Sequence, residues 1–255
     1  MRQWLNFQPT KPANFIEPFA GGGIISLTVA FEQLASRATM VEFDPEVAAV
    51  WETILNGKGE WLADRLVNFD LTRESVAAEL QKLPTTKHEL GFRTLLRNRV
   101  NHGGILAPGA APIRHGENGK GIQSRWYPTT LRKRILEIIS IKDRINFIHG
   151  DGIDYLMKCA RQPDVVYFID PPYTAAGKKA GSRLYTHFEL DHNLLFELAS
   201  ILKGDFLMTY DNAEGVQTLA QRHGFDTHPI AMKNTHHTEM TELLIGRNLD
   251  WARAR

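Results

Sequence analysis

The 255-residue chain reads as an α/β protein: a parallel sheet interrupted by an inserted, mainly helical lobe. Two observations predict this. Short apolar runs ending in acids alternate with helical periodicity over residues 14–55 and again from residue 145 onward, the rhythm of strand–helix–strand units. Between them, residues 87–144 carry twelve Lys or Arg against four Asp or Glu, a net of +8 in a chain whose total is +1. That asymmetry reads either as a solvated helix face or as the binding side of a polyanion partner.

Residues 14–16 lead into the glycine turn of FIEPFAGGG, and 24–34 form the amphipathic helix after it. ATMVEFD (38–44) is a second strand ending in acids, and Pro45 opens the next helix at a position where its missing N–H costs nothing. Residues 59–100 read as largely helical. From 102 to 122 the chain holds six of its 20 glycines, with Pro108 and Pro112, so a mobile or partner-ordered loop is expected. TTLRKRILEIIS (129–140) restores the helical period, and INFIHGD (145–151) is a strand ending in an acid. DVVYFID (164–170) is apolar almost to its last residue, as a buried central strand is. GDFLMTYDN (204–212) follows the helical HNLLFELASILK, and 225–232 with 242–245 form a terminal strand pair. The layout is a discontinuous α/β domain, 1–58 and 145–255, with a basic lobe, 59–144, inserted.

Other classes are disfavoured. No apolar run approaches the roughly 20 residues that span a bilayer, and the opening MRQWLNFQPTKPANF lacks the apolar core of a signal peptide. The single cysteine, Cys159, excludes an internal disulfide and fits a reducing, cytoplasmic setting. Its MKCAR context gives it no nucleophilic role. His236 and His237 have no carboxylate or thiol partners at metal-binding spacing, so no metal is expected. Trp4, Trp51 and Trp61 read as packing residues.

Four acids fall at strand ends, Glu17, Glu42, Asp151 and Asp170, which places them along the sheet edge where open α/β sheets bind ligands. Gly21 and Gly23 give a turn that a ligand can approach closely, but Ser26 stands where a dinucleotide fingerprint would carry its third small residue. A tight strand-to-helix connection alone would explain the glycines. Glu42 suits two ribose hydroxyls, Phe43 an adenine face, and Glu17 a positive charge rather than a phosphate. S-adenosylmethionine has that chemistry: an adenosine, a sulfonium and an ammonium. In YFIDPPYTAAG (167–177), two prolines stiffen the strand exit and remove two donors. The Asp170 carboxylate and the Pro171 carbonyl could then accept both N–H groups of an exocyclic base amine, while Tyr173 stacks on the ring.

EPFAGGG, the acid after the second strand, and DPPY, in this order, resemble the Dam-like DNA adenine methyltransferases, and the resemblance runs through most of the chain. FRTLLRNRVNHGG is similar to that family's segment between cofactor and catalytic motifs, and TELLIGRN to its closing strand. Ahead of Phe15 nothing matches the family's Lys- and Gly-rich opening segment. The resemblance implies a Rossmann-like methyltransferase fold in which Glu17, Pro18, Phe19, Gly21, Gly23, Glu42, Phe43 and Asp151 hold S-adenosylmethionine. Asp170, Pro171, Pro172 and Tyr173 would form the catalytic turn, acting on N6 of an adenine flipped out of double-stranded DNA. A cognate restriction endonuclease would be a further partner. The inserted lobe would contact DNA, with Arg93, Arg97, Asn98, Arg99, Asn101, Arg125, Trp126 and Tyr127 as candidate contacts and Arg132, Lys133 and Arg134 as a basic turn. The competing readings are an RNA adenine methyltransferase, since DPPY-type turns also serve ribosomal RNA enzymes, and a catalytically silent DNA-binding relative.

Overall fold

The computed structural model describes residues 1–116, 119–172, 190–233 and 239–253. Contacts divide them into two units: 1–43 together with the described residues from 144 onward, and 44–143.

The first unit carries seven strands: β1 (Asn14–Glu17), β2 (Arg37–Glu42), β3 (Ile145–His149), β4 (Val165–Ile169), β5 (Asp205–Asp211), β6 (Asp226–Lys233) and β7 (Glu239–Gly246). They form one sheet in the order β3-β2-β1-β4-β5-β7-β6. The first five are parallel, while β7 runs antiparallel to both β5 and β6. The α/β sheet expected from the alternating pattern is therefore present, including the terminal pair, whose antiparallel β7 makes it mixed. All five residues of β4 are buried, as a strand covered on both faces requires. Ile16, Tyr167, Ile169, Phe196, Phe206 and Met208 are central to a core they share with Ile245 and Tyr210.

In chain order the helices are α1 (Arg2–Phe7), α2 (Ile24–Glu32), α3 (Pro45–Thr53), α4 (Gly59–Asn68), α5 (Arg73–Gln81), α6 (Lys87–Val100), α7 (Pro128–Ser140), α8 (Gly152–Cys159), α9 (His192–Ile201), α10 (Glu214–Arg222) and α11 (Asp250–Arg253). Helix α1 has no counterpart in the sequence pattern. It is anchored by Asp205 Oδ2, which accepts from Trp4 Nε1 at 2.9 Å and Gln8 Nε2 at 2.8 Å.

The second unit is helical. α3 packs on α6 and α4 on α7. The division falls at 43/44 rather than after residue 58, because α3 goes with α6: Arg97 Nη1 spans both carboxylate oxygens of Glu46 at 2.7 Å. Trp51 is buried, as is Trp4 in the first unit, but Trp61 is 36% exposed and stands edge-on to His88. The glycine-rich stretch after α6 is tied back to it. Ile113 N–H donates to the Val100 carbonyl at 2.8 Å, and Asn101 Nδ2 to the Ile105 carbonyl at 2.9 Å.

Candidate active site

Chain order runs away from the β1/β4 pair in opposite directions, to β2 and β3 on one side and to β5 on the other. In such sheets the crevice beyond the carboxyl ends of these two strands is where ligands bind. Glu17 closes β1, Glu42 closes β2 and Asp170 follows β4, so three carboxylates leave the sheet from three adjacent strands.

Glu17 is 3% exposed. Its Oε2 accepts from the amide of Ser26 at 3.0 Å and from the Ser26 hydroxyl at 2.5 Å. Burial raises its carboxyl to about 7; the Ser26 bonds pull it down, and the negative charges of Asp170 and Glu42 push it up. Ser26, read from sequence only as a departure from a glycine fingerprint, is the side chain that holds Glu17.

The glycine turn adopts the conformation its residues suit: Gly21 and Gly23 have φ of +49° and +59°, the left-handed region where a Cβ is penalised. Gly21 N–H donates to Glu42 Oε2 at 2.7 Å, and the Glu42 carbonyl accepts from Gly150 N–H at 3.0 Å. Glu42 thus ties three strand-end connections together. Phe43 beside it is 50% exposed. Pro18 is buried, and Phe19 packs against the core. Asp151 caps α8, its Oδ1 accepting from Ile153 N–H at 2.7 Å and Asp154 N–H at 3.4 Å. The backbone after it lies so close to Pro18 that a Cβ on Gly152 would stand 2.1 Å from the Pro18 carbonyl oxygen.

Asp170 is exposed, and its Oδ1 accepts from the Thr209 hydroxyl at 2.6 Å. Thr209 lies on β5, and the adjoining Tyr210 hydroxyl meets His192 Nδ1 at 3.0 Å. Sequence reasoning passed over Thr209; its only signal is its place near the end of a strand next to the DPPY strand. Pro171 is buried and Pro172 half-buried, while Tyr173, His236 and His237 lie outside the described residues. Cys159 is buried, and burial pushes its thiol up, away from nucleophilic use.

In the helical unit the candidate contacts divide. Arg97 is engaged with Glu46 and the Leu106 carbonyl, Asn98 with the Gly104 carbonyl and Asn101 with the Ile105 carbonyl. Arg125 Nη1 donates to the carbonyls of Asn98 and Asn101 at 3.1 and 3.2 Å. These four shape the turn after α6. Arg93 donates to the Lys82 carbonyl at 3.0 Å, Trp126 stands edge-on to Phe69, and Tyr127 is 57% exposed. Arg99 makes no hydrogen bond among the described residues, and its Nε is buried.

Among the described residues no three His, Cys, Asp or Glu converge to hold a metal, and no helix is long and apolar enough to cross a membrane. No protein-family model and no curated protein matches the chain. It is similar to a tRNA methyltransferase of B. subtilis at 10% identity, over 99% of this chain and 67% of that one, with a TM-score of 0.41. An uncharacterised protein of Listeria monocytogenes matches at 8% identity, over 97% and 66%, with a TM-score of 0.42. An rRNA methyltransferase of Streptomyces viridochromogenes matches at 12% identity, over 95% and 80%, with a TM-score of 0.38. Likeness at this level assigns the chain no activity.

Proposed function

We propose that this chain is an S-adenosylmethionine-dependent methyltransferase acting on the N6 amine of adenine in a nucleic acid, with double-stranded DNA as its substrate. The observation that carries the reading is the trio of carboxylates at the switch point, above all the buried Glu17, whose charged neighbours Asp170 and Glu42 are negative. Such a site repels a pyrophosphate and gains from a cation, which suits the cationic cofactor's chemistry. When bound, that cofactor supplies a methyl group made electrophilic by its sulfonium.

The protein's part is holding and positioning. Glu17 in its ionised form balances the cofactor's positive charge. Glu42, braced by the Gly21 amide, would accept from the ribose hydroxyls, and Phe43 would offer its ring to the adenine. The Asp170 carboxylate, steadied by Thr209, and the Pro171 carbonyl receive the two N–H groups of the target amine. Accepting both would turn the nitrogen toward tetrahedral geometry and release its lone pair to bond the methyl carbon as the carbon–sulfur bond breaks, the surplus amine proton passing by way of Asp170 to solvent; most of the rate would come from that alignment. A base paired in a duplex is first turned out of the stack, at a cost of a few kcal/mol.

RNA adenine is the second reading, since two of the structures named above act on RNA by their descriptions. One experiment separates the two. Labelled S-adenosylmethionine is incubated with unmethylated duplex DNA and, in parallel, with ribosomal RNA, using wild-type and Asp170→Ala protein. N6-methyladenine in DNA that disappears with Asp170→Ala is the expected result. Label in RNA alone moves the substrate to RNA, and transfer to neither polymer overturns the reading.

A further inference from the structure

Most of the basic side chains on α4 and α7 have carboxylate partners: Arg65 pairs with Glu79, Arg132 with Asp64 and Lys133 with Glu137. On α6, Arg97 is paired with Glu46. Arg99, two residues further along α6, is different. It is only partly exposed, its Nε is buried, and among the described residues it has neither a hydrogen bond nor an ion pair. The nearby charges make this worse. Arg125 is bonded to the carbonyls of Asn98 and Asn101, which flank Arg99 in sequence, so its guanidinium sits against the same turn. Arg134, exposed on α7 and without a partner among the described residues, adds a third positive charge. Burial together with the charges of Arg125 and Arg134 lowers the Arg99 pKa.

A partly buried charge is costly unless paired, so the Arg99 guanidinium, with its Nε buried and no partner among the described residues, suits an anion arriving from outside. The planar, forked donors of the three arginines match the tetrahedral oxygens of a phosphate. The setting selects a polymer over a free ion. The surrounding 87–144 segment is +8 overall, and Tyr127, two residues beyond Arg125, turns an aromatic ring to solvent. We propose that Arg99, Arg125 and Arg134 form a clamp for a backbone phosphodiester of the nucleic-acid strand that carries the target base. This rests on the proposed reaction for the identity of the polymer. The clamp positions the strand without reading its sequence. The basic turn 132–134 therefore does not act as a block: Arg134 engages the phosphate, while Arg132 and Lys133 stay with Asp64 and Glu137.

The test is binding of a fluorescently labelled duplex DNA and a labelled single-stranded RNA, each of two unrelated sequences, followed by anisotropy across a salt series. Arg134→Gln and Arg99→Gln are compared with wild type and with Arg132→Gln. Each clamp variant is expected to make the slope of log affinity against log salt shallower by about 1, equally for both sequences, while Arg132→Gln leaves it unchanged. Arg134 is exposed, so Arg134→Gln stays informative even if Arg99→Gln folds poorly. The polymer whose slope responds is the clamp's ligand. Clamp variants with the wild-type slope overturn the clamp and leave the proposed reaction standing. The expected slopes in a wild-type protein that transfers no methyl group overturn the reaction and leave the clamp. Wild-type protein that binds neither polymer overturns both.

Discussion

Glu17 takes both the amide and the hydroxyl hydrogen of Ser26 on one carboxylate oxygen, at 3.0 and 2.5 Å. The pair fastens the end of β1 to the first turn of α2, and it does so with an acid that burial holds at about 7. A site whose key anion is half-protonated near neutrality binds a cation in a pH-dependent way.

Affinity for S-adenosylmethionine should therefore weaken about tenfold per pH unit below 7 and level off above it, because only ionised Glu17 balances the cofactor's charge. Calorimetry between pH 5.5 and 8.5 (the range on the order of the shift itself) should also detect proton release on binding near pH 6. A flat profile would remove Glu17 from the cofactor site.

The same carboxyl weakens the unligated fold. With a folded value of about 7 against an ordinary 4.5, it costs nothing below pH 4.5, where both states are protonated. As pH rises from 4.5 to 7 the unfolded chain gains by ionising while the folded one resists, and about 3 kcal/mol is lost. Glu17→Gln should flatten urea-denaturation stability across this window and leave the unligated protein more stable than wild type above it, while abolishing cofactor binding. Loss of stability at pH 8 would contradict this account.

Thr209 steadies Asp170 through one 2.6 Å hydrogen bond. Thr209→Val should lower kcat about tenfold or more with little change in KM for either substrate, the cost of a hydrogen bond to a charged group felt chiefly in the transition state. Thr209→Ser should restore most of the rate. Equal effects of Val and Ser would assign Thr209 to packing.

Gly152→Ala would place a methyl group 2.1 Å from the Pro18 carbonyl oxygen. The strand ends of β1 and β3 must then part, at about 2–3 kcal/mol. Because Asp151 and Pro18 move with them, cofactor affinity should fall as well as Tm, measurable by thermal shift with and without S-adenosylmethionine.

Arg97→Ala breaks the two-pronged contact with Glu46 and the bond to the Leu106 carbonyl. A loss of about 2–3 kcal/mol is expected, with the salt slope of nucleic-acid binding unchanged. A slope shallower by about 1 would make Arg97 a phosphate contact instead.

The strands were legible because parallel sheets bury their strands on both faces, so each appears as an apolar run, and because the acids that end those runs mark the ligand edge. β4 and its following Asp170 are the clearest case. What sequence did not disclose depends on distant partners. Helix α1 is too short to show a period and is anchored by Asp205, 201 residues beyond Trp4. Ser26 and Thr209 are ordinary residues until Glu17 and Asp170 stand beside them. Among the arginines, charge alone cannot separate Arg97 from Arg99; the difference is Glu46, brought in by the packing of α3 on α6. Of α8 the sequence showed only that Cys159 is a helix residue, and α10, though as long as α2 and α3, was missed.

The strand order has a consequence for how the protein is made. β1 lies between β2 and β4, and β2 awaits β3, yet about a hundred residues, 44–143, leave the ribosome before β3 does. The nascent chain therefore carries two half-paired strands while the helical segment is completed, and that segment, rich in local contacts, can fold first. Closing the sheet across so long an insertion adds little to the entropic cost, which grows only with the logarithm of length. The delay falls on timing, so synthesis runs the sheet's assembly from its middle outward, with Glu17 and Glu42 in place before Asp170 exists.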